Sequence, residues 1–148
     1  MQLERGGFVL SDDKALLDVA RLHAWMASTY WARGVPLDVM QRAITNSECF
    51  GIYGKGEQVA FARVVSDSAT FAYLCDVYVD DAHRGKGLGE WLVSSIHAQP
   101  QYQGLRRWML ATRDAHALYA KLGWTPVTDP APLMQRHDPD VYTRISTE

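Results

Sequence analysis

Residues 71–98, FAYLCDVYVDDAHRGKGLGEWLVSSIHA, constrain this 148-residue chain more than any other stretch. An apolar run from Phe71 to Val79 has the length and composition of a buried strand, and Asp80-Asp81-Ala82 ends it. The compact run Arg84-Gly85-Lys86-Gly87-Leu88-Gly89 follows. Leu88, Trp91, Leu92 and Ile96 then fall at i, i+3, i+4 and i+8, which places them on one face of a helix. A strand, a glycine-rich loop and a helix are predicted in that order. The start of such a helix presents unpaired N–H groups and the positive end of the macrodipole, so its natural occupant is an anion. Glycines at 85, 87 and 89 let the main chain approach a phosphate closely, and Arg84 and Lys86 add positive charge. The pattern predicts a pyrophosphate or another polyphosphate as ligand.

Two well-known phosphate loops do not fit. A Walker A loop ends in Gly-Lys-Ser/Thr, which this stretch lacks. A dinucleotide fingerprint starting at Gly85 needs glycine or alanine where Glu90 stands, and an acidic residue about 20 positions on, where the chain reads Leu-Arg-Arg-Trp-Met-Leu. What remains is R-G-K-G-L-G after a strand ending V-Y-V-D-D. It resembles the acetyl-CoA-binding motif of the GNAT family of N-acetyltransferases, Gln/Arg-x-x-Gly-x-Gly/Ala, matched by Arg84, Gly87 and Gly89.

That resemblance implies an α/β fold with a mixed α+β sheet: an antiparallel N-terminal meander, then parallel fourth and fifth strands splayed around the cofactor. It implies acetyl-CoA (CoA) as cofactor, its pantetheine arm bonded to main-chain groups of Val77, Tyr78 and Val79 and its pyrophosphate held by Arg84, Gly85, Lys86, Gly87, Leu88 and Gly89. The activity implied is acetyl transfer to a primary amine of a small molecule or peptide, directly within a ternary complex. A CoA-binding sensor or regulatory domain without turnover is the alternative from another class. The resemblance leaves a homodimer open.

A second match lies downstream. Tyr119-Ala-Lys-Leu-Gly123-Trp124 is similar to the family's Tyr-x-x-x-Gly-aromatic segment, which implies that the Tyr119 phenol supplies a proton to the departing thiolate. A buried core aromatic is the other reading of Tyr119. Upstream the pattern breaks, because Arg113-Asp114 replaces the family's amide residue and a carboxylate cannot donate a hydrogen bond. Asp114 is therefore read as a helix cap. Asp76 stands inside an apolar strand, where an unpaired carboxylate is costly. It is either a general base, or partner of a cationic acceptor, or one half of an ion pair. Glu48 is a weaker base candidate.

Along the rest of the chain, Phe8–Leu10 reads as a first strand and a helix starts near Lys14 with Ala15, Val19, Leu22 and Met26 on one face. A second helix runs from Leu37 to Thr45, with Leu37, Met40 and Ile44 inward. Between the helices, Tyr30 and Trp31 lie among polar residues and are candidates for the acceptor-pocket wall, or else cover the edge of the core. Residues 49–53, 58–65 and 71–79 form the meander, 107–111 a fifth strand parallel to 71–79, and Ala115–Leu122 a helix ended by Gly123. Residues 125–128 and 133–137 are read as two further strands, and 146–148 as a fraying end.

Length bounds the chain to one domain, residues 1–148. Its net charge of −2 argues against a nucleic-acid partner. No apolar run is long enough to span a membrane and the first residues lack a signal-peptide core, so no membrane partner and a cytoplasmic location are expected. Cys49 and Cys75 are read as buried reduced thiols, and the five histidines show no ligand spacing, so no metal is expected.

Overall fold

The computed structural model describes residues 1–147, with side chains through Arg144. A six-stranded mixed sheet runs β1 (Gln2–Arg5), β2 (Phe8–Ser11), β3 (Glu48–Gly54), β4 (Glu57–Ser66), β5 (Phe71–Val79) and β6 (Arg107–Met109), in that spatial order. Neighbours are antiparallel from β1 to β5, and β5 and β6 are parallel. The mixed sheet and the parallel final pair agree with the predicted fold class.

Helices cover both faces. Along β4 the side chains alternate, as a pleated strand requires: Ala60, Ala62 and Val64 pack toward helix α3 (Leu88–His97), and Phe61 toward helices α1 (Val19–Ser28) and α2 (Leu37–Thr45). Leu88, Leu92 and Ile96 are buried on one face of α3, as their spacing predicts. Two short helices complete the fold, α4 (His116–Lys121) and α5 (Val141–Thr147). No helix among the described residues is long and apolar enough to cross a membrane.

Four local readings need correction. β1 was unforeseen, although Gly6-Gly7 between two short runs is a two-residue hairpin turn with both φ positive. The first helix starts at Val19, capped by the Asp18 side chain, which accepts from the Arg21 N–H. Lys14–Leu16 is only a 3-10 turn, closed by Asp13, and leaves Ala15 exposed. Leu37 is 44% exposed, because it stands at the first position of α2 beyond the reach of the core. No strand forms at 125–128 or 133–137. Pro126, Pro130 and Pro132 remove the donors a ladder needs, and the segment runs exposed and irregular. The expected fraying at 146–148 concerns side chains, and for Glu148 a whole residue, outside the described residues.

Behind α3, Tyr102 donates to Glu48 at 2.7 Å and packs against Trp108, which also meets His97 and Trp124. Burial raises the phenols of Tyr53, Tyr102 and Tyr119 above their ordinary value of 10.0, and the thiols of Cys49 and Cys75 above 9.0. A folded-state pKa above the unfolded one contributes stability below the unfolded value and loses it as pH rises toward the folded one. The thermal midpoint is expected to hold from neutral pH to about 9 and to fall steadily above about 10. Calorimetry across pH 7 to 11 checks this; an unchanged midpoint at the alkaline end contradicts it.

Candidate functional site

β5 and β6 pair only at Phe71 with Arg107, Ala72 with Trp108 and Tyr73 with Met109. From Leu74 onward β5 has no strand partner on that edge. A cavity of about 1050 Å³ opens in the gap, lined by β5 from Tyr73 to Val79, by residues 110–115 and by Leu118 and Tyr119 of α4. Ser28, Thr29, Tyr30, Trp31 and Arg33 close its other side.

The parting is aided by a bulge. Phe61 pairs with Tyr78 and Arg63 with Cys75, so Asp76 and Val77 together oppose Ala62. Asp76 sits at φ 55, a left-handed conformation that aspartate tolerates better than most residues. Such a bulge bends the strand and re-aims its side chains. The Asp76 carboxylate, 9% exposed, accepts from Arg63 Nε at 2.8 Å and from Trp31 Nε1 at 3.0 Å. Of the roles left open for Asp76, the geometry carries the ion pair. Each of its two oxygens thus has one partner within the fold, Trp31 on one and Arg63 on the other.

At one end of the cavity stands the glycine-rich loop. Gly85 and Gly87 adopt φ of 78 and 76, and Gly87 is the residue before the first turn of α3. The first bond of the helix runs from the Trp91 N–H to the Gly87 carbonyl. Among the described residues, no acceptor takes the N–H groups of 85–90. Gly89 lies beside Val79 and Leu118, where an added Cβ meets only ordinary contacts at 3.7 and 4.0 Å. The start of α3 therefore meets the end of β5 and α4 at the cavity mouth. Arg84 lines the cavity, donating from Nε to the Val79 carbonyl at 3.1 Å and pairing with Asp81 at 2.8 Å. Lys86 instead extends over the Phe8 ring, and the Leu88 side chain is buried in the core, so Leu88 offers a ligand only its main chain.

Tyr119 is 8% exposed and lines the cavity from α4. Its setting follows from Gly123, which at φ 91 ends the helix so that the Trp124 N–H bonds the Tyr119 carbonyl and the Gly123 N–H bonds that of Ala120. The turn brings the Trp124 ring back to 6.0 Å from that of Tyr119. Burial, with a smaller contribution from Tyr30, pushes the Tyr119 phenol up to about 12.

Tyr30 and Trp31, each 42% exposed, form the facing wall. Their rings meet edge to face at 5.0 Å. The Tyr30 hydroxyl accepts from the Arg113 N–H at 3.1 Å, and the Arg113 guanidinium lies 3.7 Å over the Tyr30 ring. The loop is thus tied to the bulge through Trp31 and to the α4 approach through Tyr30.

Three side readings are corrected. Asp114 does not cap α4, because the helix starts at His116 and it is Thr112 that accepts from the Ala115 N–H. Glu48 lies outside the cavity, held by Tyr102 and Gln101. Cys75 is not a core thiol; it is half-buried and lines the cavity, with its thiol pushed up to about 12 by burial. Sequence reading missed Arg63, and noted Arg113 only within the pair that replaces the family's amide residue. A lone arginine in the apolar strand V-A-F-A-R-V-V, matched to a lone aspartate in another, was the available signal for Arg63. Nothing in spacing marked Arg113. No group of three or more His, Cys, Asp or Glu that could hold a metal occurs among the described residues.

Comparison with known proteins agrees with the fold. Residues 45–126 match the family model described as acetyltransferase (GNAT) domain. A Gibberella zeae protein assigned as an acetyltransferase is 35% identical over 79% of this chain and 78% of its own. A crystal structure of a Xanthomonas campestris pv. campestris protein, assigned to the GNAT acetyltransferases, superposes with a TM-score of 0.91 at 48% identity, covering 95% of this chain and 99% of that one. Glucosamine-6-phosphate N-acetyltransferase from Arabidopsis thaliana shares the fold at 16% identity, with a TM-score of 0.62 over 89% of this chain and 99% of that one.

Asp76→Ala removes the acceptor from both Trp31 and Arg63. Amide exchange at Trp31–Gly34 is expected to quicken at least about tenfold relative to that of α3. Equal changes in the two segments would show that the Trp31 bond does not hold the loop.

Proposed function

This chain belongs to the GNAT acetyltransferase family, and on that footing we propose that it is an N-acetyltransferase using acetyl-CoA and a primary amine in a ternary complex. The observation that carries the reading is the cavity between β5 and β6, which has unpaired N–H groups of the α3 loop at one end and the Tyr119 ring in its wall. When bound, acetyl-CoA supplies the acetyl group as a thioester.

The residues present fit that group. The N–H groups of 85–90, with the helix dipole behind them, suit a pyrophosphate. Arg84 reaches it by leaving Asp81, an exposed pair of little strength. Gly85, Lys86, Gly87, Leu88 and Gly89 hold it through the main chain, with Lys86 adding charge. Within the stretch Val77, Tyr78 and Val79, the main-chain groups of Val77 and Val79 face the unpartnered edge of β5 and are offered to the amides of the pantetheine arm, while those of Tyr78 face β4. The Val79 carbonyl already accepts from Arg84, so its share falls to the N–H or waits on the movement of Arg84.

Tyr119 faces the sulfur. A phenol at about 12 gives up its proton to a thiolate, whose ordinary value is about 8.5, only uphill. Its role is accordingly to donate a hydrogen bond to the sulfur as negative charge builds, and to remain protonated over the working range. Asp76 acts as a positioning residue: with Arg63 it anchors Trp31, and Tyr30 and Trp31 present the amine. The amine must reach the site neutral, and its proton leaves to solvent.

Release of free thiol from acetyl-CoA over a panel of amines tests this reading. Tyr119→Phe is expected to lower kcat by about a hundredfold while leaving CoA affinity nearly unchanged. In wild type no fall in rate from loss of the Tyr119 proton is expected until pH nears 12. Tight CoA binding without turnover on any amine would move the assignment to a CoA sensor. Gly89→Glu puts bulk and charge at the α3 start, at a position where the backbone accepts a Cβ without strain. It is expected to abolish CoA binding in a folded protein; unchanged affinity by calorimetry would overturn the loop assignment.

A further inference from the structure

The cavity does not end at the bulge. Val65 on β4 and Tyr73 on β5 are Cα partners, Phe71 lies two residues before Tyr73, and Met109 is the β6 partner of Tyr73, so all four share one face of the sheet. α1 and α2 cover that face only where Cys49, Phe61 and Tyr78 lie. Val65, Phe71 and Tyr73 remain 45, 38 and 37% exposed. Tyr73 and Cys75 also line the cavity, which makes the bare face continuous with it. From Phe71 to Cys75 it runs for about 13 Å, and Tyr30 and Trp31 overhang its inner end.

Charge at the rim has one dominant sign. Asp76 is already paired with Arg63, and Arg84 belongs to the pyrophosphate end. Arg33 and Arg113 line the acceptor side, and neither has a carboxylate partner among the described residues; only Asp114 opposes them. The Arg113 guanidinium also rests on the Tyr30 ring, so less side-chain entropy is lost when it meets an anion. A polycation would face two guanidinium groups with no free acid pair to receive it.

We infer that the acceptor is an amine carried on a flat apolar body that also bears an anionic group, with the body against Tyr30, Trp31 and Tyr73 and the anion at Arg33 and Arg113. The inference rests on the transferase reading above and narrows its substrate class. Charge-assisted pairing with a guanidinium gives selectivity for a carboxylate, and stacking gives selectivity for planarity.

Three amines separate the terms: 4-(aminomethyl)benzoate, benzylamine, which lacks only the carboxylate, and spermidine. Each is measured as acceptor by thiol release and as ligand of the CoA-saturated protein by calorimetry. 4-(Aminomethyl)benzoate is expected to exceed benzylamine at least about tenfold in kcat/KM and in affinity, with spermidine below both. Arg33→Gln and Arg113→Gln are each expected to shrink that ratio about fivefold or more. A preference for spermidine, parity of the two aromatic amines, a ratio unmoved in both variants, or no binding of any of the three overturns the inference. Carboxylate-selective binding without turnover supports it and sinks the transferase reading instead, whereas turnover without selectivity does the reverse.

Discussion

Main-chain groups along an unpartnered strand edge must find hydrogen bonds, and this demand organises the structure. β5 is bonded to β4 over most of its length but to β6 over only three residue pairs. A buried donor or acceptor left unmade costs about 1–3 kcal/mol, so an edge of this kind persists only where something satisfies it. The chain after β6 does not; residues 110–115 run irregularly to α4 and leave the gap open. The features argued to act on a ligand all stand around that gap, which explains why the α3 loop, the α4 tyrosine and the α1–α2 connection converge there.

The bulge at Asp76 couples the two halves of the site. It bends β5 where the strand leaves its partner, and its carboxylate ties Arg63 of the sheet to Trp31 of the facing loop. A half-buried ion pair of this kind adds little net stability, but removing one partner strands the other charge. Its value here is geometric, because it holds an otherwise exposed aromatic loop over the cavity. Behind the wall, the Gly123 turn and the packing of Trp124 do the same for Tyr119. The Tyr119 wall and the Tyr30–Trp31 wall are thus each held by neighbouring side chains.

Much of the fold was legible in the chain. The three central strands, the bounds of α2 and the buried face of α3 follow from apolar periodicity, which depends only on which side of each element is covered. The N-terminal hairpin was legible too, through Gly6-Gly7, but its strand Gln2–Arg5 is exposed throughout and carries no apolar alternation. The segment after Gly123 misled because its composition has strand character while its prolines forbid a ladder. For the candidate site, the loop glycines stood out by spacing, and Tyr119 only by resemblance to the family's segment. The partners of Asp76 did not: the cost of burying its carboxylate left base, acceptor partner and ion pair all open, and Arg63 offsets that cost.

The sequence by itself determined the local elements: strand, loop and helix at 71–97, left-handed turns at Gly87 and Gly123, and a positive helix start suited to an anion. These depend on neighbours a few positions apart and on the conformational limits of single residues. Only the tertiary structure decided which charges and rings meet. Arg63 reaches Asp76 across 13 positions and Trp31 reaches it across 45, because one extra residue in β5 shifts its register against β4. A one-residue shift reverses which face a strand's side chains occupy, and spacing along the chain does not reveal it.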